Sequence, residues 1–209
     1  MTGVTVNSIA GFKDPDEYHT SFPTVITVNL VSLVVLAEFF FPGVIAEFHA
    51  AIPFSAVDLL QFLSVNWLQI VGFVLFSVAL VIIHELIHVA AHKWNGFDHS
   101  YGVTWVWLWK LPNMVPYVVV LDDPLTRSEN IMGLLAPLIV LTTVGLVGLL
   151  PLFPAIVSYY AKVLLVVNTA GSSGDIYNSV KVARYPPGTL FRNVESNDGI
   201  RTFTYEPNK

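Results

Sequence analysis

Long apolar runs, broken by short polar stretches, dominate the chain. A membrane-spanning helix needs about 20 mostly apolar residues, and four stretches meet that length. The first covers roughly 24–41 and is ended by Pro42-Gly43. The second covers roughly 67–91, entered at Trp67 and left at Lys93-Trp94. The third covers roughly 131–150. It is preceded by Thr126-Arg127-Ser128-Glu129, a capping-box pattern in which the threonine and glutamate satisfy each other's backbone N–H, and Pro137 is expected to kink it. The fourth covers roughly 156–178, entered through Tyr159, Tyr160 and Lys162, residue types suited to the headgroup level. Segment 44–66 is apolar but holds Glu47, His49, Pro53 and Asp58. It reads as an interfacial or re-entrant piece, with extension of the second helix back to Ser55 as the alternative.

Two regions follow other periods. Tyr101, Val103, Trp105, Trp107 and Trp109 alternate, as one face of a strand does. Pro112-Asn113 supplies turn residues and Tyr117–Leu121 a second strand, so 98–129 predicts a β-hairpin. Past Pro186 the chain is polar, with short strands expected around Thr189–Arg192 and Arg201–Tyr205. Residues 1–22 are polar too. They carry Lys13, Asp14, Asp16 and Glu17, which does not fit a cleavable signal. The expected architecture is an α-helical integral membrane protein. It is a single membrane-embedded domain over 1–209, with about four transmembrane helices and a small cytoplasmic β-hairpin.

Composition agrees. The chain is 54% hydrophobic and 12% charged, where soluble domains carry about 25% charged residues. The missing charge is the stronger signal, because a water-facing surface needs it. With no cysteine, thiolate chemistry and cysteine-type zinc sites are excluded. The net charge of -5 and the lack of any basic run exclude nucleic acid as a partner. Lysine and arginine set the orientation. Loop 42–66 has none, whereas loop 92–130 has Lys93, Lys110 and Arg127, and the C-terminal segment has Lys181, Arg184, Arg192, Arg201 and Lys209. Both termini and the hairpin are therefore expected in the cytoplasm.

Chemistry concentrates in His84-Glu85-Leu86-Ile87-His88. Two histidines four residues apart share one helix face, and both can reach one Zn²⁺ at about 2 Å. Glu85 stands beside them as a base for the attacking water. Ionisable groups in so apolar a helix cost roughly 2.5 kcal/mol or more each, so a chance placement is disfavoured. His92 continues the face but lies about 12 Å from His84 along a straight helix. That is too far to share an ion, and it suits an interfacial position beside Lys93. A catalytic zinc takes three protein ligands and keeps one position open, so the third comes from another segment.

Asp175 is the best candidate for that ligand. It precedes Lys181 by six residues, as the histidines precede Lys93 by nine and five, which puts all three groups at one depth. Gly171 and Gly174 are expected to let the two helices approach. In the alternative, Asp175 caps a helix end or pairs with Lys181. Asn168, two turns before Asp175 on a straight helix, could hydrogen-bond a substrate carbonyl or the oxyanion, or simply bond to a neighbouring helix. Asn29 has only the second reading.

These residues carry a resemblance. A helical His84-Glu85-x-x-His88, a β-hairpin after it and an aspartate on a later apolar segment resemble the site-2 proteases, intramembrane zinc peptidases. The chain is more similar still to a related family of membrane zincins. These pair the histidine motif with Asn-x-x-Gly-Ser-x-Gly-Asp, here Asn168, Gly171, Ser172, Gly174 and Asp175. In true site-2 proteases a glycine follows the aspartate and a proline-containing stretch precedes it. Here Ile176 follows, and glycine replaces the proline. The resemblance implies an intramembrane zinc metalloprotease that cleaves membrane proteins or peptides. His84, His88 and Asp175 would be its zinc ligands, and Glu85 and Asn168 its catalytic residues. A lipid-directed zinc hydrolase and a non-catalytic metal-binding scaffold stay open beside it.

Overall fold

The structure, a computed structural model, describes residues 6–43, 56–108, 111–121, 123–196 and 199–208. The chain folds as two compact units. One comprises Met1–Phe22, Glu85–Pro137 and Gly174–Lys209, and the other Pro23–His84 and Leu138–Ser173. In chain order the elements are β1 (Asp16–Tyr18), α1 (Phe22–Phe40), α2 (Ala56–Trp94), β2 (Ser100–Leu108) and β3 (Leu111–Val119). They continue with β4 (Leu125–Thr126), α3 (Arg127–Gly148), α4 (Ala155–Gly171), α5 (Ser173–Ala183), β5 (Leu190–Ser196) and β6 (Gly199–Tyr205).

The second unit is helical and apolar. Among the described residues, three helical segments of the chain are long and apolar enough to cross a membrane: Pro23–Phe40, Leu63–Trp94 and Arg127–Gly148. The pair α4 and α5, bent by 47° at its break, makes a fourth if it counts as one span. The expected fourth span is therefore two helices. Helix α2 runs unbroken from Ala56, so the part of segment 44–66 from Ala56 on is helix, as the alternative reading had it. Glu47, His49 and Pro53 lie outside the described residues. Pro137 stands inside α3 without ending it.

Small residues set the helix packing of this unit. A Cβ on Gly145 would come within 2.7 Å of Leu165, and one on Gly148 within 2.8 Å of the Ala161 side chain. Glycine is needed where two backbones come this close. Gly171, expected to serve that purpose, has nothing within 4 Å of where its Cβ would be. Phe41 meets Tyr159 edge-on, and Phe76 meets Tyr160. Outward faces are strongly apolar: Val34, Phe39, Leu75, Val78 and Ile82 are all more than half exposed.

The first unit holds both sheets. Strands β2 and β3 form an antiparallel pair from Ser100↔Val119 to Leu108↔Leu111. This is the expected hairpin, but Pro112 and Asn113 pair with Trp107 and Val106 inside β3 and do not form its turn. The side chains of the tryptophan-rich face, Trp105, Trp107 and Trp109, lie outside the described residues. The other sheet has the order β1-β6-β5-β4, antiparallel throughout. The segment after Pro186 is thus a folded element, and the polar N-terminus supplies its edge strand, which local patterning does not reveal. Its core is Val120, Leu125, Val182, Phe191, Phe203 and Tyr205.

Tyr18 and Tyr185 both meet Phe191 edge-on and are tilted against each other within this unit. Burial, then the neighbouring Tyr185, pushes the Tyr18 hydroxyl well above its usual range, and burial raises Tyr185 too. The capping box forms as its pattern requires. Glu129 Oε2 accepts from the Thr126 backbone N–H at 2.8 Å, and the Glu129 N–H donates to Thr126 Oγ1 at 3.3 Å.

Candidate metal centre

Helix α2 carries two of the predicted ligands because nothing interrupts it. Its run Val78–Ile83 has no glycine or proline and enters the His84–His88 segment directly. Spacing of four then stacks the two imidazoles one turn apart. His88 is buried and His84 half-buried.

Asp175 arrives by a different device. Helix α4 ends at Gly171. There the Ser172 N–H bonds the Asn168 carbonyl at 2.8 Å, and Ser173 Oγ donates to the Ala170 carbonyl at 2.6 Å. A second donor reaches the same carbonyl, Asn29 Nδ2 from α1 at 2.7 Å. The interhelical bond expected of Asn29 is therefore present, and it falls at the break. Helix α5 restarts at Ser173, which puts Asp175 in its first turn. A carboxylate there is favoured by the helix dipole. Lys181, at the other end of α5, turns to the N-terminal strand. Its Nζ donates to the His19 carbonyl and lies 4.1 Å over the Tyr18 ring.

The result is a group of three. One ligand atom each from His84, His88 and Asp175 lies within 4.8 Å of the others. His88 Nε2 is 3.8 Å from Asp175 Oδ2, close to the roughly 3.4 Å that two ligands of a tetrahedral zinc leave between them. The other ring nitrogen of His88 is committed: Nδ1 lies 2.9 Å from the Gly133 carbonyl oxygen. A carbonyl only accepts, so Nδ1 carries the hydrogen of that bond, and Nε2 is the ring nitrogen on the Asp175 side. Two imidazoles and a carboxylate, one imidazole held in the ligating tautomer, fit a catalytic zinc with one open position. Glu85 follows His84 on the same helix and is half-buried.

His92 does not belong to the group of three, as its distance along the helix requires, and its side chain is buried at 8% exposure. Its ring packs where Gly133 has no side chain, since a Cβ there would come within 2.7 Å of His92 Cε1. Helix α4 ends at Gly171, so Asn168 and Asp175 stand on successive helices and not on one. The Asn168 side chain is 4% exposed, and neither its Oδ1 nor its Nδ2 has a hydrogen-bond partner among the described residues. Gly133 is the site residue that the sequence reading missed, because an interior helical glycine in an apolar run looks like packing alone.

Residues 77–190 match the model of a protein family described as "Putative zincin peptidase". No curated protein and no solved structure matches the chain. The matched stretch contains His84, Glu85, His88, Gly133, Asn168 and Asp175. Because that match spans more than half of the chain, and the three potential ligands converge inside it, this protein belongs to the putative zincin peptidase family.

Proposed function

We propose that this protein is an intramembrane zinc metalloprotease that hydrolyses peptide bonds in membrane-associated substrates. The observation that carries the reading is the convergence of His84 and His88 from α2 with Asp175 from α5, with Glu85 beside the first of them. The membrane part rests on the long apolar helices and their exposed apolar faces. Water would not tolerate that much contiguous apolar surface on a monomer. Charge supports a cytoplasmic site. Of the ten lysines and arginines, Lys162 alone belongs to the apolar unit. The other nine fall in the unit that carries both termini and the hairpin, as the positive-inside rule expects of a cytoplasmic face.

In this reading His84, His88 and Asp175 hold Zn²⁺, which when bound polarises the scissile carbonyl as a Lewis acid. Glu85 takes a proton from the attacking water and passes it to the leaving amine. Asn168, with both amide atoms unsatisfied, offers its N–H to the substrate carbonyl. A helical substrate hides its amides in its own hydrogen bonds and must unwind first. The paired strands β2 and β3 have outer edges that can hold an unwound segment by strand addition.

Glu85→Gln tests the reading. General-base contributions run to about 10²–10⁴-fold. Cleavage of a transmembrane peptide in reconstituted vesicles should fall by that order, with zinc content unchanged. Undiminished peptide cleavage in the variant removes Glu85 from the role. Activity on lipid-linked substrates with none on peptides points to the lipid-directed hydrolase.

A further inference from the structure

Pro137 stands inside helix α3, four residues after Gly133. A proline has no N–H, so the carbonyl four residues earlier loses its helical donor, and the ring crowds that carbonyl off the helix axis. In this chain that carbonyl is Gly133's. It is also the carbonyl that lies 2.9 Å from His88 Nδ1. A freed carbonyl in an apolar surrounding must find a donor elsewhere, and His88 is the donor it finds. Gly133 itself has no side chain because His92 occupies the space, which lets α3 come close enough for the bond.

We infer that Pro137 and Gly133 are positioning residues for the metal centre: the proline releases the Gly133 carbonyl so that it fixes His88 in the Nδ1–H tautomer, with Nε2 on the Asp175 side as the nitrogen that would ligate. This rests on the reading of His88 as a ligand. The arrangement explains a fully buried proline within an apolar helix, which otherwise only weakens that helix. Were the proline replaced by alanine, a backbone N–H at position 137 would compete for the Gly133 carbonyl, and the His88 ring could turn over or change tautomer. Partners of this kind typically change metal affinity by about 10- to 100-fold.

The test uses the full chain in nanodiscs, labelled with ¹⁵N-histidine. In the metal-free protein, the His88 ring nitrogens should show a single Nδ1–H tautomer. Pro137→Ala should shift them to a mixture and weaken Zn²⁺ binding at least about tenfold. A second variant leaves α3 untouched: Nδ1-methylhistidine at position 88 keeps Nε2 but cannot donate to Gly133. It should weaken Zn²⁺ by a similar factor, and adding Pro137→Ala to it should cost no more. Three results overturn the inference. They are an unchanged tautomer in Pro137→Ala, undiminished affinity in the methylated protein, or full additivity of the two changes, which would mean that the proline acts through helix shape. If the wild-type chain binds no Zn²⁺ at all, the peptidase reading fails, while the tautomer signature still decides whether Pro137 governs His88.

Discussion

Helix α2 and the bent pair α4–α5 place their potential metal ligands by different means. In α2 the ligand geometry is written into a period. His84 and His88 sit on one unbroken helix of 39 residues, so backbone hydrogen bonding alone fixes their mutual placement. In α4–α5 Asp175 follows a 47° break. At that break one carbonyl, that of Ala170, accepts from two side chains, Ser173 Oγ and Asn29 Nδ2 from α1. A periodic element carries its geometry locally, and a broken one borrows it from its neighbours.

The sharpest way to break this comparison is to insert one alanine into each element. Between Leu86 and Ile87 the insertion turns His88 by about 100° and moves it about 1.5 Å along the axis. Zinc binding should be lost altogether. The same insertion after Lys181, beyond Asp175 in α5, should leave zinc content near wild type. Equal effects at the two places would erase the distinction.

A smaller effect separates packing from ligation. Gly145→Leu forces a side chain into Leu165, and overpacking of this kind costs about 1–3 kcal/mol. Unfolding in mild detergent should show that loss, with Zn²⁺ affinity nearly unchanged because neither residue belongs to the ligand group. Smaller again is Asn29→Leu, which removes one of the two side-chain donors to the Ala170 carbonyl. Hydrogen bonds between membrane helices are worth about 0.6–1.7 kcal/mol. Here part of that loss should appear as weaker zinc binding, a few-fold in Kd. A stability loss with no change in affinity would show that the break holds Asp175 without help from α1.

The same contrast explains what can be read from residues alone. The His84–His88 pair is legible because helical spacing is a local property. Asp175 is legible through its spacing from Lys181, which parallels that of the histidines from Lys93. The capping box at Thr126 and Glu129 is legible for the local reason again. The break between Asn168 and Asp175 is not legible, because only serines and glycines announce it. Gly171 looks like the close-approach glycine, whereas contact falls at Gly145 and Gly148, a matter of which helix faces which. Strand β1 cannot be read at all. Its three residues pair with Thr202–Thr204 at the other end of the chain, and no local pattern encodes so distant a partner.

The central claim is that His84, His88 and Asp175 together hold one zinc ion, and zinc per chain tests it most directly. The purified wild-type protein should carry about one equivalent and Asp175→Ala a small fraction of that, each confirmed folded. A full equivalent of zinc in Asp175→Ala would contradict the three-ligand site and put the third ligand elsewhere in the chain.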